Sequence, residues 1–166
     1  MAGAQRDADV EIPDPIEVVG RRRVVLGEGT IPAFDADSRD VEIVCATGNR
    51  YDADWWGVPI VGLLDAADAP EDTTHVVVES ADGYRVAVSI VESVDGLLAF
   101  RKDGRPIGES NPYTNRFVAP DIEGARDVKG VRRIEFHSLA PADDPDSLEN
   151  VDPVDDRFAA DRDQTQ

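Results

Sequence analysis

Cys45 is the only thiol in the chain. A thiolate is a strong ligand for a soft metal and tunes the potential of the centre it holds. The alternative is an inert small hydrophobe on a buried strand face. A single cysteine excludes an intrachain disulfide and a cysteine-based zinc cluster. His75 and His137 are the only histidines, and both sit in strand-like runs, which argues against a zinc site or a histidine-dependent triad. Guanidinium forks and ammonium groups bind phosphate and carboxylate, so the arginines and the two lysines are the donors available to an anionic ligand. Structural ion pairs are the competing use. Lys129 carries most weight, because Lys102 is the only other lysine. Asn49 is suited to bond ring nitrogens or to make a turn. Tyr84 is a candidate proton donor or a piece of core wall, and Trp55 and Trp56 are suited to packing or to shielding a pocket. Asp35, Asp37, Asp40, Asp52 and Asp54 lack the glycine and glutamate positions of a calcium loop, and read as a solvated face.

The elements that must position these residues are mostly strands. Arg23–Leu26 is a short apolar run closed by Gly27 and Gly29. In Val41–Ala46 the period of two puts Val41, Ile43 and Cys45 on one face. Val76–Glu79 and Tyr84–Ile90 flank Ala81-Asp82-Gly83, a hairpin signal. Leu97–Arg101 runs into a second such signal, Asp103-Gly104, and Arg116–Ala119 and Val131–Phe136 complete the set. Pro59 with Ile60, Leu63, Leu64 and Ala67 fits one short amphipathic helix with proline in its first turn, and a helical turn is expected over Val91–Val94. The fold class is α+β: a β-rich mixed-sheet domain with one or two short helices.

The chain has 166 residues, which suits one domain. Residues 1–17 and 140–166 are polar, acidic and proline-bearing, and read as mobile tails around an ordered domain at 18–139. Thirty-five acidic against 17 basic residues leave a net charge of −18. Such repulsion weakens a compact state in dilute buffer, whereas at about 1 M salt the Debye length falls to roughly 3 Å. We read salt adaptation and a high-salt cytoplasm, with no export signal and no membrane span. The acidic surface argues against nucleic-acid and anionic-membrane binding, which need basic patches.

Four segments within 41–136 together resemble the molybdopterin-binding domain of the sulfite oxidase family. They are Val44-Cys45-Ala46-Thr47-Gly48-Asn49-Arg50; Trp56-Gly57-Val58-Pro59-Ile60 with Leu63-Leu64; Ser80-Ala81-Asp82-Gly83-Tyr84 with Leu97-Leu98-Ala99 and Asp103-Gly104; and Arg116-Phe117-Val118-Ala119-Pro120 with Gly124-Ala125-Arg126-Asp127-Val128-Lys129 and Arg132-Arg133-Ile134. The resemblance implies a molybdenum–molybdopterin cofactor, with Cys45 as the metal ligand and Asn49, Arg50, Arg116, Arg126 and Lys129 as cofactor contacts. Oxygen-atom transfer on a small substrate of the sulfite or sulfoxide type follows, with electrons leaving through an unidentified partner. The departures are the inserted Thr47, Gly130 in place of a tryptophan, Asn111-Pro112-Tyr113-Thr114-Asn115 in place of paired glycines, and a short upstream stretch without the family's arginine–asparagine–histidine segment. They leave a non-catalytic binding or subunit module as the alternative.

Lowering salt well below about 1 M should loosen the domain. Thermal melts across a potassium chloride series check this, and a melting temperature indifferent to salt contradicts it.

Overall fold

The computed structural model describes residues 10–31, 34–44, 48–120, 122 and 126–150. Its strands are β1 (Ile16–Val19), β2 (Arg23–Leu26), β3 (Asp37–Val44), β4 (Arg50–Pro59), β5 (His75–Ser80), β6 (Arg85–Ser89), β7 (Leu97–Lys102), β8 (Arg105–Pro106), β9 (Arg116–Val118) and β10 (Val131–His137). Two short helices, α1 (Ile60–Ala66) and α2 (Ile90–Ser93), follow β4 and β6. The strands form two five-stranded sheets. The first runs β2-β1-β10-β5-β6; the second runs β3-β4-β7-β8, with β9 also on β7. β1 and β10 are parallel and the other pairs antiparallel. This is the β-rich α+β domain with mixed pairing that the strand pattern implies.

Alternation decides what each sheet buries. Ile16 and Val18 of β1, Val76 and Val78 of β5, and Ile134 and Phe136 of β10 point into the main core. Trp56 and Val58 of β4 and Leu98 and Phe100 of β7 meet them from the second sheet. The other face of the second sheet is buried too: Ala53 and Trp55 of β4 and Leu97 and Ala99 of β7 form a smaller cluster with Val41, Ile43, Ile107 and Val118. The second sheet is therefore a middle layer where β4 and β7 pair, and there residues 55–59 and 97–100 read as nearly continuous apolar runs.

β4 and β7 approach closely at an irregularity. Trp56 pairs with Arg101 but Gly57 pairs with Ala99, so Phe100 is an extra residue on β7. Such a bulge re-aims the side chains beyond it. Past it, Arg101 lies over Trp56 and Lys102 over Tyr51 and Trp55. Gly57 is what lets the two backbones meet: a Cβ there would stand 2.1 Å from the Leu98 carbonyl oxygen and 2.6 Å from Ala99 Cα.

Both expected tails are partly built into the fold. Val10 and Ile12 are buried in the main core, and β1 begins at Ile16, inside the segment read as a tail. Pro13 and Pro15 obscure a strand whose partner, β10, lies more than a hundred residues downstream. At the other end Pro145–Leu148 makes a turn of 3-10 helix, and Asn150 pairs with Arg85 on β6, its N–H donating to the Arg85 carbonyl at 2.9 Å. Helix α1 starts one residue later than the proline pattern suggests, with Pro59 extended at its N-cap. β4 itself, with Asp52 and Asp54 exposed along it, continues the strand as one half of a long hairpin with β3.

Replacing Gly57 by alanine should cost about 2–4 kcal/mol of stability, because the obstructing atoms are backbone and cannot rotate away. Urea unfolding at fixed salt measures it.

Candidate functional site

The outer face of the second sheet holds a cavity of about 180 Å³. β4 contributes Tyr51 and Trp55 by its alternation, and β7 contributes Lys102 from beyond the bulge. Arg116 comes from the start of β9, and Lys129 from an isolated bridge with Arg116. Ile107, Asn111 and Tyr113 close the wall. Both lysines of the chain thus line one cavity with an arginine, and among the described residues none that lines it is acidic.

Arg116 and Lys102 make their contacts on that wall with ring faces and neutral oxygens. Arg116, 8% exposed, donates from Nε to the Asp127 carbonyl at 3.1 Å and from Nη1 to the Tyr51 hydroxyl at 3.2 Å. Its guanidinium lies 5.8 Å from the Trp55 ring centroid. Lys102 Nζ is 4.5 Å from the Tyr51 ring and 5.6 Å from that of Trp55, and Lys129 Nζ is 5.9 Å from the Tyr113 ring. Ring faces attract cations electrostatically and leave the charge available to an anion. Burial pushes the Tyr113 hydroxyl above its ordinary value, with Arg116 pulling the other way, so it stays a neutral phenol at physiological pH. Trp55 is buried, and its indole N–H has no hydrogen-bond partner.

Asp127 lies behind Arg116 and is 2% exposed. Oδ1 accepts from the Ala119 N–H at 3.3 Å, and Oδ2 has no partner. Burial pushes this carboxyl up to about 7; the Arg116 charge and the Ala119 bond oppose the shift without cancelling it. Glu135, on the first sheet, goes the other way. Burial alone would raise it, but bonds from His137, Arg85 and Arg133 hold it at about 2.

Of the sequence-derived candidates, the structure brings Arg116 and Lys129 together. Arg50 lies on the face of β4 opposite Tyr51, exposed and paired with Glu42 at 2.8 Å. Asn49 is exposed beside it. Arg126 turns to the C-terminal segment, bonding both oxygens of Glu149 and donating to the Ala87 carbonyl at 2.9 Å. Tyr84 is 3% exposed and packs in the main core at the β5–β6 turn. Cys45 lies outside the described residues, in the connection between Val44 of β3 and Gly48. Among the described residues no group of three or more His, Cys, Asp or Glu is placed to hold a metal ion. Sequence reasoning missed Lys102, Tyr51 and Asp127. The scarcity of lysine that singled out Lys129 applies equally to Lys102, and the period-two run Tyr51, Ala53, Trp55 marks the face of β4 turned to the cavity.

Comparison with known proteins adds the family. The oxidoreductase molybdopterin binding domain pattern matches residues 21–143, and the chain belongs to that family. It is 24% identical over 116 residues to an uncharacterized oxidoreductase, YuiH, of Bacillus subtilis (strain 168), covering 68% of this chain and 59% of that protein. It is 28% identical over 100 residues to the mitochondrial sulfite oxidase of Drosophila melanogaster, covering 54% of this chain and 17% of that one. Its fold is similar to that of the sulfane dehydrogenase SoxCD from Paracoccus pantotrophus, with a TM-score of 0.67 at 20% identity, over 82% of this chain and 40% of that chain. The chain therefore spans only part of each relative's length. No helix among the described residues is long and apolar enough to cross a membrane.

The pH dependence of stability tests the buried carboxyl. Its folded-state pKa is raised from the ordinary 3.8 to about 7, so the native state binds the proton more tightly than the unfolded chain does. Its contribution is fully present below about pH 4 and is lost as pH rises to about 7. Asp127→Asn should remove that slope and gain on the wild type across this window, by roughly 1–3 kcal/mol at pH 8 after the cost of burying an amide. Urea unfolding at pH 4, 6 and 8 checks the sign.

Proposed function

We propose that this protein is a molybdenum–pterin-dependent oxidoreductase that moves an oxygen atom to or from a small substrate of the sulfite or sulfoxide type. The observation that carries the reading is the cavity: Lys102, Lys129 and Arg116 line one space with no acidic residue among the described ones that line it, in a chain of net charge −18. Gathering like charges costs free energy, and an anionic occupant offsets that cost. The donor set of two ammonium groups, one guanidinium and an indole N–H without a partner fits a large polar anion with a phosphate and ring acceptors. Family membership supports the same group.

In this reading Cys45 supplies the protein's thiolate to the metal, and Arg116 and Lys129 bind the anionic part of the cofactor. Asn49 and Arg50, which follow Cys45 in sequence, are further cofactor contacts in this reading, with Arg50 at the start of β4 and paired with Glu42. Arg126 acts through the chain, tying the segment that carries Lys129 to Glu149. Trp55 and Tyr113 exclude water from the cavity and hold the cations by their ring faces. When bound, the cofactor supplies the two-electron chemistry; the protein supplies ligation, orientation and charge. A separate electron-transfer protein receives the electrons, and a high-salt cytoplasm is the setting that the charge supports.

Metal analysis of protein purified from its own host in high salt tests the proposal. About one molybdenum per chain is expected, and Cys45→Ser should keep the fold while losing metal and turnover. Protein without molybdenum from a host whose other molybdoenzymes are loaded would leave the non-catalytic binding module as the function.

A further inference from the structure

The reaction as proposed leaves Asp127 without a task. It is one of the few charged side chains in the interior, it leaves one carboxylate oxygen unbonded, and it is the residue whose carbonyl holds the Arg116 side chain. Leaving a buried polar atom unpaired costs free energy, so it calls for an explanation. The charged group facing the carboxyl is Arg116 of β9. Lys129 follows two residues later in the same segment. Lys102 and Tyr51 face the cavity from β7 and β4, and Tyr113 faces it from the loop before β9. The two histidines lie on the first sheet, paired across β5 and β10.

We propose that Asp127 is a positioning residue that couples anion binding to proton uptake. A tetrahedral oxyanion enters the cavity among Lys102, Arg116 and Lys129 together with one proton, and the proton goes from solvent to Oδ2 of Asp127. With the carboxyl neutral, the cavity's positive charge is not offset from behind and the anion is held strongly. With the carboxyl ionised, its charge sits behind Arg116, competes for the guanidinium field and repels the anion. The position of the carboxyl around pH 7 puts the exchange within the range a cell experiences. By linkage, the anion must raise proton affinity by the factor by which the proton raises anion affinity. The inference rests on reading the cavity as an anion site, which the proposed function shares. The oxyanion is either the phosphate of the cofactor or a free species.

Sulfate is a suitable probe because it does not itself titrate between pH 5 and 8. Calorimetric titration of the full chain with sulfate, at constant ionic strength in buffers of different ionisation enthalpy, counts the protons taken up. The expected result is up to about half a proton per sulfate near pH 7, where half of the carboxyls already carry one, rising toward one at pH 8, with affinity falling by up to roughly 10-fold from pH 6 to pH 8. Asp127→Asn should bind sulfate equally at both pH values with no proton uptake. Lys102→Gln should weaken sulfate at both while keeping the proton count. Wild-type affinity that is flat with pH, or a slope retained in Asp127→Asn, overturns the coupling while leaving the anion site standing. No sulfate binding at any pH overturns the inference, and molybdenum analysis of the same sample then shows separately whether the cofactor reading holds. The wild-type proton count decides the matter even if the Asp127 variant fails to fold. Coupled binding confined to cofactor-free protein supports the inference with the cofactor's phosphate as natural occupant; coupled binding to loaded protein as well supports it with a free oxyanion.

Discussion

Like charges at close quarters repel, and the second sheet has to hold Lys102, Arg116 and Lys129 around one space against that repulsion. Pairing each with a carboxylate would be the ordinary solution, as Arg85 and Arg133 show on the first sheet, where Glu17, Glu79 and Glu135 surround them. Arg116 and Lys102 do otherwise. They lean on the faces of Tyr51 and Trp55 and, for Arg116, on the Asp127 carbonyl, while Lys129 lies over the Tyr113 ring. Ring faces and a carbonyl orient the charge of Arg116 and Lys102 without neutralising it, so their field remains for a ligand. The bulge on β7, the pleat of β4 and the Arg116–Lys129 bridge all serve that arrangement.

The middle position of the second sheet explains why the cavity can be firm. One face packs on the main core and the other carries the smaller cluster, so neither β4 nor β7 can shift without opening a void. Gly57 sits where the two strands press closest. A site on such a layer is held more exactly than one on loops.

Much of the architecture was legible in the residues. The two Asp-Gly turns gave both hairpins, β5–β6 and β7–β8, and the apolar runs gave β2, β9 and β10 nearly to their ends. β1 was not legible, because four residues after two prolines carry little local signal and their partner is distant in the chain. The site was half legible. Arg116 and Lys129 could be named from the family pattern, but their meeting depends on a bridge that no local rule predicts. Lys102 could not be placed, since which way it faces is set by one extra residue, Phe100, and a one-residue slip reverses a strand's faces. Arg50 and Arg126 looked equivalent to the others; nearby carboxylates, Glu42 and Glu149, decide their use.

The turn of helix at Pro145–Leu148 and the pairing of Asn150 with Arg85 also shape how this molecule meets its own kind. β6 is an outer strand, and a bare outer strand is a template for another chain. Here Arg85 exchanges backbone bonds with Asn150, its guanidinium bonds the Leu148 carbonyl at 2.8 Å, and the Ala87 N–H is taken by Glu149. That border is occupied from within the same polypeptide. Where salt screens the mutual repulsion of such acidic molecules, charge no longer keeps neighbours apart, and a border closed in this way keeps the sheet from growing across to the next molecule.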